Sequence, residues 1–124
     1  MMSLASGAPA IAECDLNQVV EVSVKNMAFV PQHVEVCLGQ TVRWTNQESG
    51  RQVHTVTLDP ARARRPENVQ LPEGATPFHS GLLQPGQSYE QVFQVVGEYK
   101  YFCAPHELMG HLGSIRVIAN DQDN

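Results

Sequence analysis

Tyr101-Phe102-Cys103-Ala104-Pro105-His106-Glu107-Leu108-Met109-Gly110-His111-Leu112-Gly113 places a thiol, two imidazoles and a thioether within nine residues. Ligand types this dense in so short a span read as a metal-binding loop. Sulfur together with imidazole suits copper or zinc, whereas magnesium and calcium take oxygen. Cys103 and His106, in a C-x-x-H spacing, supply two ligands from one loop that follows a strand. Pro105 removes a backbone donor and stiffens the loop. Gly110 and Gly113 permit its sharp return into a final strand.

Outward from this loop, strand signals repeat and helix signals are scarce. Val20-Glu21-Val22-Ser23-Val24-Lys25, Val34-Glu35-Val36 and Val42-Arg43-Trp44-Thr45 alternate apolar with polar residues, the period of strands with one buried face. Residues 89–95, 97–102 and 114–118 read as three more strands, with Pro85-Gly86 and Gly97 as turns between them. Short strands punctuated in this way predict an antiparallel sandwich or barrel. The interval 59–77 breaks the pattern with Pro60, Pro66, Pro72, Pro77 and Gly74. It is expected to be a long surface loop with a short helical turn near 61–65. The polar tail 120–124 is expected to fray.

The chain has 124 residues, 42% apolar and 17% charged, and no apolar run approaches the length of a membrane span. That composition describes one folded domain large enough to bury a core. A net charge of −5 argues against nonspecific binding to nucleic acid or anionic lipid. The one basic cluster, Arg62, Arg64 and Arg65, reads as a solvated loop, with docking as its alternative. Of the three cysteines, Cys103 is the candidate ligand and Cys14 and Cys37 remain as a pair. A Cys14–Cys37 disulfide would fit an oxidising compartment, the alternative being two buried thiols. The start Met1-Met2-Ser3-Leu4-Ala5-Ser6-Gly7 lacks the features of a signal peptide, and reads as the beginning of a mature exported domain, with a cytosolic origin as the alternative.

Beyond His106 and His111, three histidines are candidates for a further ligand: His33, His54 and His79. His54 lies in Gln52-Val53-His54-Thr55-Val56-Thr57-Leu58, entering a strand from which its ring could face the Cys103 loop. His33, at a strand start, and His79, in a turn, read as surface histidines.

The chain resembles the cupredoxins, small blue copper proteins of the plastocyanin and pseudoazurin type. The resemblance rests on Phe29-Val30-Pro31, on Gly39-Gln40-Thr41-Val42-Arg43-Trp44-Thr45-Asn46, and on Val53-His54-Thr55-Val56. It continues through Phe78-His79-Ser80-Gly81, Pro85-Gly86, and 97–115. It implies an all-β Greek-key β-sandwich with copper near one end and His54, Cys103 and His106 as equatorial ligands. One cupredoxin-like domain would then fill 1–124, with 1–17 as an N-terminal extension and 59–77 as a loop insertion. Asn46, or a neighbour before His54, would hydrogen-bond near the thiolate, unless it is a turn-capping residue. Where the family carries an axial Met, this chain reads Gly110-His111-Leu112-Gly113, so His111 takes the axial place and Met109 points away. The alternative is an ordinary loop histidine with copper left three-coordinate.

For function, the resemblance implies a periplasmic or otherwise exported electron carrier, monomeric and not an enzyme. It would bind Cu+/Cu2+ and meet redox proteins through a small apolar face around His106, formed with Pro105, Leu108 and Leu112. An axial imidazole would favour Cu(II), lower the potential and give a greener site than a thioether. The alternative is a copper storage or delivery module, or a zinc site, since three imidazoles and a thiolate also suit tetrahedral zinc.

Overall fold

The computed structural model describes residues 14–120. Expectations for 1–13 and for the last four residues lie outside them. The described chain forms nine strands: β1 (Val19–Lys25), β2 (Ala28–Val30), β3 (His33–Cys37), β4 (Thr41–Asn46), β5 (Thr57–Leu58), β6 (Phe78–His79), β7 (Ser88–Val92), β8 (Gly97–Phe102) and β9 (Leu112–Ile118). They make two sheets, ordered β2-β1-β4-β7 and β3-β9-β8-β5-β6. The β1–β4 and β3–β9 pairs are parallel and the others antiparallel. This is the Greek-key sandwich that the resemblance implies, but its sheets are mixed where the strand pattern alone predicts antiparallel pairing. Alternation fixes the buried face of a strand and not the direction of its neighbour.

Alternation decides which faces meet. Val22 and Val24 of β1, Val42 and Trp44 of β4, and Ile115 and Val117 of β9 are buried between the sheets, while their neighbours along each strand are more exposed. Fully burying one such side chain contributes about 1.5–3 kcal/mol. Phe29, Trp44 and Tyr101 meet edge to face around Tyr101, at centroid distances of 4.6 and 5.5 Å. The Trp44 indole N–H donates to the Tyr101 hydroxyl at 3.0 Å, which satisfies both polar atoms inside the core. Tyr101 also explains Gly113 across the ladder: a Cβ there would meet the phenol ring at 2.5 Å.

Six of the nine strands fall where alternation places them. β2, β5 and β6 have two or three residues each, too short to show a period. The strand expected over 89–95 stops at Val92 because Phe93 turns to exchange hydrogen bonds with Gly39 and Gln40. The 59–77 segment holds two 3₁₀ turns, Pro60–Arg62 and Pro66–Asn68, in place of the single turn expected near 61–65. Each opens on a proline, where a missing N–H costs nothing. Cys14 and Cys37 form a disulfide with Cα atoms 6.0 Å apart, tying the chain ahead of β1 to the end of β3.

Candidate metal centre

The loop between β8 and β9 forms one wall of the centre. Cys103 follows directly on β8, Ala104–Met109 make a kinked 3₁₀ segment, and Gly110 closes it in the left-handed region at φ 83°. Cys103 N–H donates to the His111 carbonyl at 3.0 Å, His106 N–H to the Cys103 carbonyl at 3.0 Å, and His111 N–H to the His106 carbonyl at 3.3 Å. The loop therefore fixes its own candidate ligand residues. Glu107, one residue past His106, is buried and accepts hydrogen bonds from the Arg64 and Arg65 amides and from Asn68 Nδ2, at 2.9 to 3.1 Å. It pins the loop to the 59–77 segment.

The facing wall runs from the end of β4 to β5. His54 pairs through its backbone with Leu83, as donor at 3.2 Å and acceptor at 2.7 Å. Asn46 braces this turn: its Nδ2 donates to the Gln52 and Leu83 carbonyls, and its Oδ1 accepts from Glu48 N–H. No hydrogen bond joins Asn46 to the thiol; its side chain closes the turn, the alternative that the sequence left open. The donor to Cys103 Sγ from this wall is the Thr55 amide, at 3.4 Å. Thr55 Oγ1 accepts from Ala104 N–H at 2.8 Å and pairs with Thr57 Oγ1, so one threonine joins the two walls. Glu48 Oε2 lies 2.8 Å from His54 Nε2 and also accepts from Asn26 N–H at 2.8 Å.

His54, Cys103, His106 and His111 converge between the walls, with one potential ligand atom from each lying within 4.8 Å of the others. Cys103 Sγ is 3.8 Å from His54 Nδ1 and 3.3 Å from His106 Nδ1. His111 lies against Phe29, with ring centroids 4.3 Å apart, and its centroid is 5.1 Å from that of His54. His33 and His79 stand outside the group, bonded to Ser114 Oγ and Thr57 Oγ1. Met109 is largely exposed.

Burial sets the electrostatics. It pushes the Cys103 thiol up, with the Thr55 amide opposing. It pushes His106 down, helped by His54. The largest effect falls on His111, pushed down to about 3 by burial first and by the neighbouring His54 and His106 rings after it. The Ala28 backbone offsets a little of this, yet neither ring nitrogen of the fully buried His111 forms a hydrogen bond of acceptable geometry. Buried polar atoms are nearly always partnered, and two orphaned nitrogens beside a thiol and two more imidazoles are what a metal ion would satisfy. The donor set fits copper, and it also fits zinc.

A family model described as copper binding proteins of the plastocyanin/azurin family matches residues 16–118. The chain belongs to this family. Among relatives of this copper-binding chain, a plastocyanin from Scenedesmus fuscus is 32% identical over 91 residues, covering 73% of this chain and 87% of that protein. An amicyanin from Paracoccus versutus is 28% identical over 93 residues, covering 73% and 59%. Among solved structures, a copper-containing nitrite reductase from Thermus scotoductus superposes with a TM-score of 0.64 at 27% identity. That likeness covers 92% of this chain but 24% of the enzyme chain.

All four converging residues are legible as candidates in the sequence alone. Glu48, Glu107 and Thr55 are not. Acidic residues in loops ordinarily signal solvent exposure, and no local pattern reveals that these two are enclosed.

Proposed function

We propose that this cupredoxin is a copper-dependent electron carrier in which His54, Cys103, His106 and His111 hold the ion. The observation that carries the reading is His111, a buried imidazole with both nitrogens unpartnered at the centre of a thiol and two other imidazoles. When bound, copper would supply one-electron chemistry by alternating between its two oxidation states. The protein's part is to keep that change from demanding rearrangement. The loop's internal hydrogen bonds fix Cys103, His106 and His111 relative to one another, and Thr55 locks them to the His54 wall. The Thr55 amide aimed at Sγ favours the thiolate that coordination requires.

His106 is the candidate ligand nearest solvent, and Pro105, Leu108 and Met109 beside it in the loop are exposed, whereas Leu112, also expected on this face, is half-buried. A small apolar face of this kind suits brief contact with redox proteins, burying less than about 1,200 Å². The carrier is read as an exported monomer, in keeping with its disulfide. The nitrite reductase likeness spans only 24% of that chain, so its catalysis is not carried over.

Absorption and EPR spectra of the copper-loaded protein test the assignment. An intense thiolate-to-copper band that bleaches with ascorbate and is abolished in Cys103→Ser is the expected result. A protein that isolates with stoichiometric zinc and gives no such band with Cu(II) would instead be a zinc module.

A further inference from the structure

We propose that Glu48 is a positioning residue that biases the centre toward Cu(II), because its carboxylate fixes the donor tautomer of His54 and makes the oxidised site the electroneutral one. The inference rests on the proposal that the four converging residues hold copper. It begins from the two ends of one ring: His54 Nδ1 faces Cys103 Sγ at 3.8 Å, while His54 Nε2 lies 2.8 Å from Glu48 Oε2. A carboxylate only accepts hydrogen bonds, so the ring proton belongs on Nε2 and the Nδ1 lone pair is directed to the centre. A carboxylate in that place also makes the imidazole a stronger donor to metal.

Glu48 is built in. Its side chain is 8% exposed and His54 is 0% exposed. Asn26, in the left-handed region at φ 56°, delivers its amide to the same carboxylate oxygen at 2.8 Å. The Glu48 amide is held by Asn46 Oδ1 at 2.9 Å. Among the described residues, no lysine or arginine forms an ion pair with Glu48. Lys25, which is exposed, acts on it only through its field.

Thiolate and carboxylate together carry two negative charges, so Cu(II) leaves the enclosed group neutral. Reduction to Cu(I) by one electron from a redox partner would leave the same group with one net negative charge. A neutral acceptor on Nε2, such as a carbonyl, would set the same tautomer but would leave the reduced site as the neutral one. Uncompensated charge is costly away from water, so the carboxylate opposes reduction.

Glu48→Gln separates charge from geometry, because glutamine offers Nε2–H an acceptor of the same reach without the charge. Copper competition and electrochemistry on wild type and Glu48→Gln should show the preference for Cu(II) over Cu(I) falling about tenfold, a rise of about 59 mV for one electron. The visible band should persist. In the metal-free protein, a long-range ¹⁵N–¹H spectrum should place the His54 proton on Nε2. It should exchange faster in Glu48→Gln, and the tautomers should mix in Glu48→Ala. Equal potentials in wild type and Glu48→Gln, or a His54 proton found on Nδ1, would overturn the proposal. Failure of wild type to hold copper would sink the electron-carrier reading, whereas the metal-free spectrum would still decide the tautomer.

Discussion

Glu48 and Glu107 are both enclosed carboxylates near a candidate ligand, and they are used in different ways. Glu107 is one residue from His106 yet hydrogen-bonds to backbone and amide groups of the 59–77 segment. Glu48 is six residues from His54 and bonds directly to its ring. Burial alone would raise the pKa of Glu107, but the Arg64 amide, Asn68 and the Arg65 amide carry it below the usual range. For Glu48 the His54 hydrogen bond is the first cause of a lowered pKa. Glu107 ties the loop wall to the main chain of the 59–77 segment, whereas Glu48 acts on the ring of a candidate ligand. Nearness to a candidate ligand in sequence therefore says little about which carboxylate reaches a candidate ligand's ring.

The largest expected contrast is the response of the walls to acid, since His111 sits on the loop wall with no carboxylate at its ring. Its folded-state pKa of about 3 lies below the unfolded value of 6.5. Between those values the unfolded chain binds the proton and the folded chain does not, so stability is lost as pH falls. The loss for metal-free protein should be on the order of 4 to 5 kcal/mol between pH 6.5 and 3, with lowered His106 adding in the same direction. Urea midpoints against pH measure it. His111→Leu should flatten the curve, and copper loading should delay the loss until the metal is released. A curve unchanged by His111→Leu would mean that the loop wall is not where acid acts.

Next in size is Glu107→Ala. It strips the acceptor from three N–H donors and uncouples the loop wall from the 59–77 segment, a cost of about 3 kcal/mol in the urea midpoint. Glu107→Gln should recover part of it by keeping one acceptor oxygen. The His54 Nε2 proton signal should stay where it is in both variants. Movement of that signal would show that the walls are not independently held.

The two walls also differ in how much of them can be read from sequence. The loop wall is one contiguous stretch, and its ligand types, proline and glycines lie side by side from Cys103 to Gly113. The strands beneath it announce themselves by alternation, as in Val22, Val24, Val42 and Trp44. The His54 wall is assembled from segments brought together only by closing the sandwich: Asn26, Asn46, Glu48 and Leu83. The family pattern, in which Asn46 precedes His54, points Asn46 to the thiolate. Its amide instead serves the Gln52 and Leu83 carbonyls, a pairing that depends on where the 83 region crosses. Phe29 on β2, against which His111 rests, stands out through the resemblance and not as part of a strand, since three residues carry no period.

Thr55 is where the walls meet, and Thr55→Val is the smallest and most local change that tests the joint. Valine keeps the shape and keeps the backbone amide that points at Cys103 Sγ. It removes the hydroxyl that accepts from Ala104 N–H and pairs with Thr57. Ala104 N–H is then left without that acceptor beside the candidate thiolate, while Thr57 Oγ1 retains His79. An unsatisfied buried donor of this kind costs about 1–2 kcal/mol. The same loss should raise the exchange rate of the Ala104 amide and shift the copper-loaded visible band, because the thiolate is no longer braced across the gap. An unchanged Ala104 exchange rate together with an unchanged band would mean that the loop holds Cys103 by its own hydrogen bonds. The wall from Asn46 to Leu58 would then contribute His54 and the Thr55 amide without bracing the loop.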